Sequence, residues 1–200
     1  MKARERILSR IRRALLGRPE AALPGLPESP PLSKEEALSL FVRRLLAAGA
    51  MVAVLRDEEE VEAFKRRAAE GAKSVYAGKE VPLLLVPELP AAPPEEADLG
   101  VSLARLAVAE TGSLVLSSRE GRRGQLLVPR HLVWVYDRLL VGRLREALAL
   151  LKDEEASLLA LHSGPSKSAD IGQIMVKGVH GPGELWVGVI VSPFEAGEWA

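Results

Sequence analysis

The 200-residue chain contains no cysteine, which excludes disulfides, a thiolate nucleophile, cysteine zinc sites and iron–sulfur clusters on its own thiolates. It also lacks asparagine and has very little glutamine, while arginine outnumbers lysine. Scarcity of thermolabile residues fits a heat-loving source, and a GC-rich genome biases composition the same way. Charge of one sign is missing too: Lys+Arg and Asp+Glu balance at 27 each, so no global field draws the chain toward nucleic acid or a membrane surface. No apolar run approaches the length of a membrane span, and the charged amphipathic start is unlike a signal peptide, so a cytoplasmic location is expected. What is present is ordinary for a globular protein, with 48% hydrophobic and 27% charged residues. The length suits one α/β domain with an appended arm.

The arm is RERILSRIRRALL, which sets Ile7, Leu8, Ile11 and Leu15 on one helical face among five arginines. Such a stripe docks on the helix's own domain or a neighbouring subunit, whereas the arginines alone would suit nucleic acid or an acidic membrane. The proline-rich stretch 17–33 reads as an extended linker. The division expected is therefore an arm over 1–33 and an α/β domain over 34–200. Ser33 with Glu36 three residues on forms a capping-box signature for a helix that Gly49 stops. MVAVL reads as a strand, and Asp57 opens a second helix with acidic first and basic later turns. KSVYAG and VPLLLVPE are strand candidates, which points to a parallel or mixed sheet covered by helices. Farther on, Leu103, Leu106 and Ala107 suit a short helix broken at Gly112. REGRRGQ suits a hairpin tip, RLLVGRLREALALLK a periodic helix, and QLLVPRHLVWVYD, SLLALHS and ELWVGVIVS strands.

Three short stretches carry the candidate chemistry. In AETGS, Gly112 lets backbone N–H groups turn toward one point that a carboxylate could occupy, beside Thr111 and Ser113. Glu110 is there either an acid, base or nucleophile, or a turn carboxylate capping neighbouring amides. In GPSKSAD, after Gly164 and Pro165, Ser166 and Ser168 are candidate caps of a following helix. Lys167 adds positive charge there, and Asp170 orients it or caps the first turn. The spacing is not that of a nucleotide-binding phosphate loop. In GVHGPGE, His180 beside Gly181 is a general base or an unpartnered turn histidine. His131 and His162 show no local metal spacing, so no protein-bound metal is expected. Arg119, Arg122 and Arg123 either grip an anionic partner or sit on a solvated tip.

Taken in order, GVSLARLAVAETGSLVL, PRHLVWV and SGPSKSADIGQIMVKGVHGPGELWV strongly resemble the lactate-utilisation protein C family of LUD-domain proteins, most closely over residues 100–190. RERILSRIRRAL is similar to that family's opening helix. The resemblance implies a three-layer αβα sandwich similar to the glucosamine-phosphate-deaminase, ribose-phosphate-isomerase and CoA-transferase group. It also implies a part in oxidation of L-lactate to pyruvate beside iron–sulfur partner proteins. Carried over by position, the pocket comprises Glu110, Thr111, Gly112, Ser113, Gly164, Pro165, Ser166, Lys167, Ser168, Asp170, His180 and Gly181, with Glu110 and His180 as the catalytic candidates. The chain departs from the family pattern at Arg105 and Gly172, where acidic residues usually stand.

Oxidising lactate removes two electrons that ordinary side chains cannot store. With no redox cofactor expected in this chain, the clusters belong to partner proteins, and this subunit binds a small carboxylate or phosphate or holds the complex together. A stand-alone CoA-transferase-like or sugar-phosphate-isomerase-like enzyme using Glu110 is the enzymatic alternative. A structural or regulatory interaction module, in which the basic helix and proline linker recruit a partner, is the other, and self-association into a homo-oligomer is among the expected partnerships.

Overall fold

The strand MVAVL lies at one edge of an all-parallel sheet whose opposite edge is the KSVYAG strand. The computed structural model describes residues 3–16, 30–169, 175–177 and 181–191. The chain divides into two units, Met1–Pro30 and Pro31–Ala200. In the first, α1 (Ala3–Leu15) is the amphipathic helix its arginine and isoleucine spacing predicts, and Ile7, Ile11 and Leu15 on its stripe are exposed. Most of the linker lies outside the described residues.

The second unit opens with α2 (Lys34–Ala48). Its capping box is formed: Ser33 Oγ accepts from the Glu36 amide at 3.2 Å, and Glu36 accepts from the Ser33 amide at 2.9 Å. Gly49 ends it at φ 92°, a left-handed cap that glycine adopts without a Cβ clash. Next come β1 (Met51–Leu55) and α3 (Glu58–Ala68), the latter capped by Asp57. β2 (Val75–Ala77), β3 (Leu99–Leu103), β4 (Leu106–Val108), β5 (Ser113–Ser117) and α4 (Arg122–Leu126) follow. The rest comprises β6 (Arg130–Tyr136), β7 (Leu140–Val141), α5 (Leu144–Leu150), β8 (Leu159–His162), β9 (Lys167–Ala169), β10 (Met175–Lys177) and β11 (Glu184–Ile190).

The main sheet runs β1-β11-β6-β3-β2, every pair parallel. Alternation along its strands sends Leu132, Trp134 and Ile190 to the α3 side, where Phe64 stacks edge-on to Trp134. Val133, Val135, Val187 and Val189 go to the other side, against Phe41 and Leu45 of α2 and Leu114 and Leu116 of β5. A second sheet, β7-β4-β5-β8, therefore packs on that side of the first, and α5 closes a smaller core behind it. The architecture is α/β, with a parallel sheet flanked by helices.

Several local expectations are corrected. VPLLLVPE is no strand: a 3-10 turn at Leu83–Leu85 lies between Pro82 and Pro87. Its carbonyls are taken by side chains, Leu84 by Lys65 at 2.6 Å and Leu85 by the Trp134 indole at 2.9 Å. The Leu103–Ala107 helix is instead the end of β3 and the start of β4. These strands are buried on both faces, so their apolar run carries no strand period. REGRRGQ forms a 3-10 turn and α4 rather than a hairpin tip. RLLVGRLREALALLK breaks at Gly142 into β7 and α5. GPSKSAD leads into β9, which pairs antiparallel with β10, so Ser166 and Ser168 cap no helix there.

Candidate functional site

The two glycine-bearing turns meet. β5 and β8 pair antiparallel with Leu114 opposite His162, which brings residue 113 beside residue 163. Ser113 Oγ lies 2.6 Å from Ser163 Oγ and donates to Thr111 Oγ1 at 2.7 Å. A hydroxyl has one proton, so Ser163 donates to Ser113 and Ser113 to Thr111. Ser113 is buried, while Thr111 and Ser163 are exposed at the two ends of the chain of hydroxyls. Thr111 thus keeps a proton to offer, and Ser163 keeps acceptor capacity.

Both turns rest on the last turns of α2. A Cβ on Gly112 (φ 64°) would lie 2.5 Å from Arg44 Cβ, and one on Gly164 (φ 151°) 2.9 Å from Ala48 Cβ. Only glycine allows this approach at these dihedral angles. The Ser166 amide donates to Pro182 O at 2.7 Å, which brings buried Pro165 and half-buried Gly181 into the same corner.

Two of the charged candidates, Lys167 and Glu110, are already engaged. Lys167 Nζ donates to Ala48 O, at the negative carbonyl end of α2. The positive charge therefore stands at a helix C-terminus, where sequence reasoning placed it at an N-terminus. Glu110 Oε2 accepts from the Leu144 amide at 3.1 Å, and Oε1 lies 3.6 Å from Arg143 Nη1. Glu110 thereby caps the start of α5. Ser168 lies in β9. Asp170, Gly172 and His180 lie outside the described residues.

Sequence reasoning missed Ser163 and two buried polar groups. His131, on β6, is fully buried between the sheets. Its Nε2 is 2.9 Å from Ser102 Oγ, its Nδ1 has no partner, and its ring sits edge-on to His162 at 5.9 Å. Burial, helped by His162, pushes its pKa down to about 3, and burial also lowers that of His162. Both imidazoles are thus held toward the neutral form.

Glu120 is buried at the carboxyl ends of β2 and β3, accepting from the Glu80 amide at 3.2 Å and more distantly from Leu103 at 3.5 Å. Burial pushes its pKa up to about 7, opposed by the Leu103 amide, aided by the charge of Glu80 and opposed by Arg105. Arg105 bridges Glu80 at 3.6 Å and Glu154 at 3.1 Å, and Arg119 also reaches Glu80 at 3.6 Å. No spacing along the chain announces this cluster, because its members are drawn from distant segments.

The chain matches the LUD domain over residues 94–190, a span that contains both turns. A "Lactate utilization protein C" of Deinococcus radiodurans is 32% identical over 94% of this chain and 95% of its own length. Proteins of the same name from Bacillus licheniformis and Bacillus subtilis are 36% and 33% identical over 44% of this chain, which spans 40% of their length. The chain belongs to the lactate-utilisation protein C family of LUD-domain proteins. In fold it is similar to the crystal structure of a DUF162 family protein from D. radiodurans, with a TM-score of 0.64 over 80% of this chain and 99% of that one at 24% identity. Among the described residues, no helix is long and apolar enough to cross a membrane.

Proposed function

We propose that this protein is a subunit of a lactate-utilisation system and binds a small hydroxy-carboxylate where the two glycine turns meet. The observation that carries the reading is the Thr111–Ser113–Ser163 chain of hydroxyls. Its open ends match an α-hydroxy acid: the Thr111 hydroxyl donates to the carboxylate, and Ser163 accepts from the substrate hydroxyl. The name of its relatives, lactate utilization protein C, supports lactate as the ligand. Conversion of L-lactate to pyruvate releases two electrons and two protons. A chain without cysteine holds no thiolate-ligated cluster for the electrons, so they pass to iron–sulfur partner proteins, while this subunit binds and orients.

The engagement of Glu110 with Leu144 and Arg143 speaks against a stand-alone catalyst that uses this carboxylate as nucleophile. Calorimetric titration with L-lactate, pyruvate and inorganic phosphate tests the proposal. L-lactate is expected to bind, and Thr111→Val to weaken it tenfold or more, about 1.4 kcal/mol for a lost hydrogen bond to a charged group. Absence of L-lactate binding at millimolar concentration, or binding that Thr111→Val leaves unchanged, removes the proposed site.

A further inference from the structure

We infer that the open edge of β8 pairs antiparallel with the same edge of a second copy of this chain, joining two four-stranded sheets into one of eight. β8 is the last strand of its sheet, with β5 on one side and, among the described residues, no strand on the other. A free edge presents a row of unpaired N–H and C=O groups, which proteins blunt with charge, proline, bulges, short strands or a covering segment. The segment SLLALHS, residues 157–163, has no Lys, Arg, Asp, Glu or proline. Leu158 and Leu161 along it are 39% and 47% exposed. Leu161 stands opposite Val115, on the sheet face that α5 covers over β4 and β7. Among the described residues this edge carries neither charge nor proline and has no strand over it.

Charge selects the occupant and its direction. Exposed Lys152, Asp153 and Glu155, a flank of net negative charge, precede β8, and Lys167 is the first Lys, Arg, Asp or Glu after it. Antiparallel self-pairing about a two-fold axis near Ala160 sets the acidic flank of one copy beside the lysine flank of the other, at both ends. Parallel pairing would place like beside like. The two-fold arrangement is closed, so it ends at a dimer rather than a fibre. The inference is independent of any ligand at the turns.

Because the 200-residue chain has no cysteine, single-cysteine variants of it report the contact directly. Sedimentation velocity is expected to give a dimer for the native chain and a monomer for Leu161→Lys, with the thermal melt of the variant still cooperative. Under mild oxidation, Ala160→Cys, which faces its own copy across the two-fold axis, is expected to form disulfide-linked dimers at least tenfold faster than Leu83→Cys, an exposed control on the 3-10 turn. A native chain that sediments as a monomer at 100 μM-scale concentration (about 10² times a micromolar Kd) overturns the inference. So does a dimer that survives Leu161→Lys, or equal cross-linking of the two cysteine variants.

Discussion

Glu120 fills the space that a side chain at position 78 would need: a Cβ built on Gly78 lies 1.8 Å from Glu120 Oε2 and 3.2 Å from Glu120 O. The carboxyl is thus wedged under the loop after β2 while it accepts from the Glu80 amide. Gly78→Ala should force it out and cost about 1–3 kcal/mol of stability, as overpacking does. Urea unfolding measures this. Glu120→Ala should cost markedly less in the Gly78→Ala background than in the native one, because the two changes act on one contact.

Glu120 also gives stability an unusual pH dependence. Its folded pKa is raised to about 7 from an ordinary 4.5, so between those values the folded state holds a proton that the unfolded state has released. Its contribution is complete below pH 4.5 and falls as pH rises toward 7. Glu120→Gln should remove that downward trend, which denaturant midpoints across pH 4–8 would reveal.

His131 acts in the opposite sense. Its folded pKa is lowered to about 3 from 6.5, so the unfolded state takes up a proton first, and stability falls as pH drops from 6.5 toward 3. Between pH 4.5 and 6.5 the Glu120 trend offsets part of the histidine trend, to which His162, also lowered by burial, adds in the same sense. In Glu120→Gln the histidine trend should stand alone, with stability rising from pH 4 to 6.5. The His131 ring protons should show no titration step near the ordinary histidine pKa of 6.5 by NMR.

Lys167→Ala should cost roughly 0.3–1 kcal/mol, because the ammonium faces the carbonyl end of α2, and high salt should shrink the effect. Thermal melts at two ionic strengths check it. An unchanged melting temperature at low salt would show that the contact contributes no stability.

Signals that act over a few residues were legible in the chain. Ser33 and Glu36 meet as a capping box, Asp57 caps α3, and Gly49 ends α2, because caps depend on residues three or four apart. Signals that depend on distant partners were not. Ser166 and Ser168 have cap chemistry, but pairing with β10 draws Lys167–Ala169 into a strand. Glu120 lies among arginines and glycines that read as a solvated tip, and its burial depends on Gly78 and Leu103. The motif order singled out two turns that the fold brings together. Their junction through Ser163 required the β5–β8 register, which no local pattern encodes.

The most direct measurement is an amide-resolved NMR titration of the native chain with L-lactate. The proposed function predicts saturable shifts at Thr111, Gly112, Ser113, Ser163 and Gly164 together, with one shared dissociation constant. Shifts confined to other regions, or movement of one turn without the other, would contradict it.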